Sequence, residues 1–219
     1  MMRLLFSKTE DAVYCSHLDL MRVFQRAFLR AGVPIRHSQG FNPRAYVSLA
    51  LPLPVGASSV CEILDFELEG DAVGLKMLPG RLNAVLPAGI RVLQAYESER
   101  KIRRLALLQA QVRLEYDGGV PQDAQKRIAA LFCREALPVH KMTKRGDAEL
   151  DVIPCLKHCE IRKCGETELL LDVTVTALNP TLNPQLLVTA IETYLPELKP
   201  DFSSVCRREV FCEDGSVFR

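Results

Sequence analysis

The sequence predicts an α+β fold built as two similar halves with antiparallel sheets, and three observations point to it. Short alternating apolar runs such as Cys61 to Leu68 (CEILDFEL) are interrupted by amphipathic helical segments. The same order of elements recurs in the second half. Between the two passes lies a charged, solvated stretch, Glu97 to Arg104 (ESERKIRR).

Residues 2 to 14 alternate weakly around Leu5 and Val13 and read as a first strand. Ser16 is a good N-cap, with Asp19 three residues on in the place of a capping-box acid. The helix that follows runs to about Ala31. Leu20, Val23, Phe24, Ala27, Phe28 and Ala31 fall on its inner face, and Gly32 with Pro34 beyond ends it. Val33 to His37 reads as a strand, Gly40 to Pro43 as a turn and Tyr46 to Leu51 as its return. Cys61 to Leu68 is another strand, a helix starts near Pro79 and ends by Pro87, and Ile90 to Ala95 closes the half.

In the second half Leu107 to Tyr116 is a strand and Gln122 to Glu135 a helix. Val139 to Lys144 and Leu150 to Lys163 are expected to form a hairpin about Arg145-Gly146-Asp147. Leu169 to Thr176 is a β-branched strand, Asn183 N-caps a helix to Tyr194, and Cys206 to Phe211 is a last strand. The repeated order is the split β-α-β of ferredoxin-like domains, so the expectation is two tandem ferredoxin-like (βαββαβ) halves, spanning 1–98 and 105–219.

At 219 residues, two halves of this size are each long enough for their own core, and 48% apolar with 25% charged residues excludes long disorder. The net charge of +1 conceals an asymmetry. Residues 1 to 60 carry Arg3, Lys8, Arg22, Arg26, Arg30, Arg36 and Arg44 against Glu10, Asp11 and Asp19 only, which suits an anion-binding face. No signal-peptide pattern and no apolar run of membrane-spanning length occurs, so a cytoplasmic protein without membrane contact is expected. The eight cysteines then read as free thiols. Cys155, Cys159 and Cys164 lie near His158, but their spacing matches neither zinc knuckles nor cluster-binding runs, so no metal or other cofactor is expected.

The residues that suit recognition cluster early. Arg22, Arg26 and Arg30 stand one helical turn apart, about 6 Å along the axis, near the spacing of successive phosphates on an extended strand. Gly40 lets a tight turn present Gln39 and Asn42, amides that both donate and accept, with Phe41 able to stack on a base and Ser38 and Arg44 flanking them. Ser16, His17 and Asp19 open the helix, with Lys8 on the adjoining strand. His17 could act as acid or base with Lys8 stabilising charge, although no nucleophile or partner base is set by spacing. Lys141, Lys144 and Arg145 would crown the second-half hairpin with positive charge. Each feature also has a plain reading as a cap, a turn or a solvated face.

The phrase FSKTEDAVYCSHLDLMRVFQRAFLRAGVPIRHSQGFNPRAYVSLALPLPVG resembles the opening of the radical SAM-linked protein family, a bacterial family of uncharacterised function. The likeness covers the first 95 residues through Lys8, Ser16-His17-Leu18-Asp19, Ser38 to Pro43 and Leu86-Pro87-Ala88-Gly89, and extends more loosely through KMTKRGDAELDVIP. It implies a domain found alone or fused behind a cobalamin-type radical SAM protein, often encoded near ribonuclease and ribosomal-protein genes. Two positions depart from the family pattern: Arg44 stands where a histidine is usual, and Pro79-Gly80 interrupts what is otherwise an unbroken helix. The tandem arrangement also looks, at fold level, like the endoribonucleases that process CRISPR repeats, without their glycine-rich loop.

The reading that follows is a non-catalytic accessory protein of a radical SAM enzyme supplied in trans, binding RNA or presenting substrate. Two alternatives belong to other classes. One is a metal-independent endoribonuclease-like enzyme using His17 and Lys8; the other is a protein-interaction module whose basic face docks an acidic partner.

Overall fold

A computed structural model describes residues 1–70, 74–143 and 146–219. The fold is mixed α+β with antiparallel pairing throughout the strand pairs described below. Two compact units are present, Met1–Arg104 together with Arg219, and Leu105–Phe218.

The first unit holds β1 (Met2–Lys8), α1 (His17–Arg30), β2 (Val47–Leu49), β3 (Ser58–Phe66), α2 (Leu78–Asn83) and β4 (Ile90–Glu97). Its strands lie in the order β4-β1-β3-β2. Leu4 faces Leu64 across β1 and β3, and Val47 faces Phe66 across β2 and β3. The period of 3.6 puts Leu20, Phe24, Ala27 and Phe28 of α1 on one face, and that face is buried against the sheet. Phe6 meets Phe24 edge-on with ring centroids 4.7 Å apart, and Phe28 meets Phe66 at 5.2 Å. Each buried Phe contributes about 1.5–3 kcal/mol.

Beneath this core lies a buried ion pair. Arg3 Nε donates to Asp65 Oδ1 at 2.6 Å and Nη2 to Oδ2 at 3.1 Å, while Nη1 reaches Ser98 Oγ at 3.0 Å and Nη2 the Arg100 carbonyl at 2.9 Å. Two parallel bonds fix the guanidinium geometrically as well as electrostatically.

In the second unit β5 (Leu105–Glu115), α3 (Ala124–Phe132), β6 (Pro138–Thr143), β7 (Gly146–Asp151), β8 (Leu156–Cys164), β9 (Glu168–Thr176), α4 (Gln185–Tyr194) and β10 (Phe202–Cys212) follow. Here the strand order is β10-β5-β9-β8, and β6 pairs with β7 as a separate two-stranded sheet.

Three local expectations change. Val33 to His37 does not form a strand: only the single bridges Ile35 with Leu68 and His37 with Ala45 occur, because Pro34 and Pro43 lack the N–H a ladder needs. The hairpin expected from Val139 to Lys163 splits. β7 ends at Asp151, whose carboxylate accepts from Leu137 N and Ile153 N at 2.9 and 3.0 Å, and a turn through Pro154 restarts the chain as β8, which pairs with β9 instead. Asn183 sits one place before the cap, which is Pro184, although Asn183 Oδ1 still accepts from Gln185 N at 3.2 Å. No helix among the described residues is long and apolar enough to cross a membrane.

Candidate nucleic-acid interface

Helix α1 begins as its sequence dictates. Ser16 Oγ accepts from Asp19 N at 3.2 Å and donates to Asp19 Oδ2 at 2.6 Å, and Asp19 also receives Arg22 at 3.3 Å. The Ser16 hydroxyl, followed by Arg22, holds the Asp19 carboxyl below the usual carboxylate range. Ser16 and Asp19 thus act on the helix end itself. His17 is partly exposed, with its Nδ1 enclosed and without a hydrogen-bond partner.

Lys8 is a correction. Its side chain is 1% exposed and Nζ donates to the Val13 carbonyl at 3.1 Å, so the ammonium belongs to the interior of the unit and not to a surface anion site. The same burial removes it as a charge-stabilising partner for His17 in a cleavage reaction.

The loop after α1 closes on Ser38, whose Oγ accepts from Arg44 N at 2.9 Å while Ser38 N donates to the Arg44 carbonyl at 2.9 Å. Gly40 at φ +125° makes the turn possible, since side-chain-bearing residues avoid that conformation. Gln39, Phe41 and Asn42 project from its tip, and Phe41 is fully exposed at 106%. Phe41 is the most exposed large apolar side chain among the described residues, ahead of Leu29 at 80%.

Between α1 and the segment 33–47 lies an open cavity of about 790 Å³. Met21, Gln25 and Leu29 form its helical wall at successive turns, and Arg26 stands beside them, one residue on and therefore about 100° round the helix. His37, Pro43, Arg44, Val47 and Glu69 complete the opposite side. Among the described residues Arg26, Arg30 and Arg44 make no ion pair, whereas Arg22 is held by Asp19 and Arg36 by Glu67 at 2.9 Å. Arg36 also lies 5.3 Å from the centre of the Tyr46 ring.

Of the residues singled out from sequence, the structure therefore brings Arg26 and Arg44 to one cavity, with Arg22 further along the helix. Ser16, His17, Asp19, Gln39, Phe41 and Asn42 are not on its wall. Lys141 lies in β6 of the other unit, and Lys144 and Arg145 fall outside the described residues. Gln25, His37 and Glu69 were not legible as site residues. Gln25 had a signal, the Met21-Gln25-Leu29 spacing beside the arginines, but His37 and Glu69 meet the cavity only through non-local pairing.

Burial, with Cys133 and Asp172 nearby, pushes the Cys159 thiol up to about 12. Among the described residues no three His, Cys, Asp or Glu side chains come together as a metal-binding group.

Among solved structures the chain is similar to one in the crystal structure of a Cbf5-Nop10-Gar1 complex, at 12% identity and a TM-score of 0.52, with 97% of this chain and 50% of that chain covered. A chain in the structure of an H/ACA RNP bound to a substrate RNA containing 2'-deoxyuridine matches at 11% identity and a TM-score of 0.47, covering 99% of this chain and 50% of that one. This chain thus spans about half the length of either match, and the likeness to the first is one of fold. No curated protein matches. Neither these matches nor the family description names a radical SAM enzyme. A family model matches residues 1–184, and the chain belongs to that family, described as an uncharacterized protein conserved in bacteria (DUF2344).

Proposed function

We propose that this protein binds single-stranded RNA through the face of the first unit formed by α1 and residues 33–47, as a non-catalytic recognition or substrate-presenting partner in the cytoplasm. The observation that carries the reading is the pairing of Arg26 and Arg44, neither in an ion pair among the described residues, on one open cavity whose loop also presents the fully exposed Phe41. Cationic side chains next to an unpacked aromatic are what a single strand requires, phosphates going to the arginines and a base to the ring.

The strand order β4-β1-β3-β2 in the first unit and β10-β5-β9-β8 in the second supports a ferredoxin-like reading of each, with β6 and β7 added to the second. Burial of Lys8 favours binding over the endoribonuclease alternative. An accessory role beside a radical SAM enzyme is supported by the resemblance of the opening phrase alone.

The test is fluorescence anisotropy with a labelled single-stranded RNA of about eight nucleotides, at low salt. Binding is expected, the RNA stays intact, and Phe41→Ala weakens it by the ~1–3 kcal/mol of one stacked base. Absence of binding by the wild-type protein refutes the reading; binding followed by cleavage refutes the non-catalytic part of it.

A further inference from the structure

The cavity wall carries a pattern of acceptors as well as its two cations. His37 Nδ1 lies 2.7 Å from the Ile35 carbonyl, which can only accept, so this nitrogen carries a proton, and in the Nδ1–H tautomer Nε2 is an acceptor. Glu69 brings a carboxylate to the same cavity and makes no ion pair among the described residues. Gln25 adds an amide with both capacities. The remaining wall, including Met21, Leu29 and Pro43, is apolar, and the volume of about 790 Å³ exceeds what one base fills.

Two acceptors together with cationic and amide donors complement a base edge that shows two adjacent N–H groups beside a carbonyl. Among the RNA bases only guanine has it: N1–H and the N2 amino group next to O6. Adenine and cytosine present one amino group beside a ring acceptor, and uracil one N–H between two carbonyls. A carboxylate facing any of those three edges leaves an acceptor opposed to an acceptor, which is unfavourable when desolvated.

We infer that this cavity holds one unstacked guanine nucleotide of an RNA strand. Glu69 and His37 Nε2 accept from the N1 and N2 hydrogens, Gln25 donates to O6, and Arg26 and Arg44 take the flanking phosphates. The inference rests on the RNA-binding reading above and adds base selectivity to it.

The experiment compares labelled oligouridine with the same strand carrying one central guanine, adenine, cytosine or inosine, by anisotropy. The guanine strand is expected to bind roughly 10-fold tighter than the adenine, cytosine and all-uridine strands, the scale of one bidentate base contact. Inosine, which keeps N1–H and O6 but lacks the N2 amino group, is expected to fall between. Glu69 is exposed, so Glu69→Gln leaves the fold intact by circular dichroism and is expected to bring the ratio of guanine-strand to oligouridine affinity down to about 1. Equal binding of all strands, or a preference that survives Glu69→Gln, overturns the guanine inference and leaves RNA binding standing. Failure of every strand to bind overturns both.

Discussion

Replacing Arg26 and Arg44 together by alanine tests where the phosphates go. These two line the cavity and make no ion pair among the described residues, whereas Arg22 is already held by Asp19 at 3.3 Å and Arg36 by Glu67 at 2.9 Å. For a single strand each phosphate contact contributes about 0.7 to the slope of log K against log salt, so the double variant is expected to flatten that slope by about 1.4. Across a fourfold rise from about 50 to about 200 mM salt, the wild-type protein should then lose about 7-fold more affinity than the variant. Anisotropy titrations at four or five salt concentrations measure both slopes. Lys126→Ala serves as the control, since that exposed lysine lies on α3 beside Asp123 and does not line the cavity. An unchanged slope in the double variant refutes the assignment of phosphates to this face, even if the affinity falls. An equal flattening in Lys126→Ala refutes its localisation.

Two further predictions concern what holds the face in place. Asp65→Ala leaves the fully buried Arg3 guanidinium without its carboxylate and is expected to cost about 3–5 kcal/mol, read as a lower urea midpoint at unchanged slope. A loss below about 1 kcal/mol refutes the reading that Asp65 compensates the buried Arg3 charge. Ser16→Ala removes the cap of α1 and should lower stability by about 1 kcal/mol at neutral pH. Because Ser16 and Arg22 lower the Asp19 pKa, their stabilisation is present above its ordinary value of 3.8 and is lost as pH falls through the lower folded value. The gap between thermal melts of wild type and Ser16→Ala should therefore narrow in acid to what the Ser16 Oγ bond to Asp19 N–H alone contributes; a constant gap down to pH 2 contradicts the role given to the Asp19 charge.

Much of the first unit was legible because its signals are local. Ser16, Asp19 and Gly32 mark the ends of α1 through groups no more than a turn away, and the spacing of Leu20, Phe24, Ala27 and Phe28 states which face is inward. The alternation of Cys61 to Leu68 and the β-branched run of Leu169 to Thr176 likewise point to β3 and β9 without knowledge of partners, although burial along β3 is unbroken from Cys61 to Phe66. The second-half hairpin was misjudged because β-branched and polar residues from Val139 to Lys163 are compatible with either of two pairings. The choice depended on Asp151, whose carboxylate ends one hairpin by taking two backbone N–H groups.

What the sequence by itself determined is the α+β class, the basic bias of residues 1 to 60 and the arginine stripe, since composition, period and one-turn spacing are properties of the chain alone. Only the tertiary structure decided which of those charges reach solvent. Lys8 and Arg44 are both cations in the same basic stretch, yet one is enclosed against the Val13 carbonyl and the other stands on an open cavity. The cavity itself depends on Ile35 meeting Leu68 and on His37 meeting Ala45, contacts that bring Glu69 and His37 to face α1. Burial and proximity are set by the partners a folded chain supplies from far along its length, and no local pattern of residues encodes them.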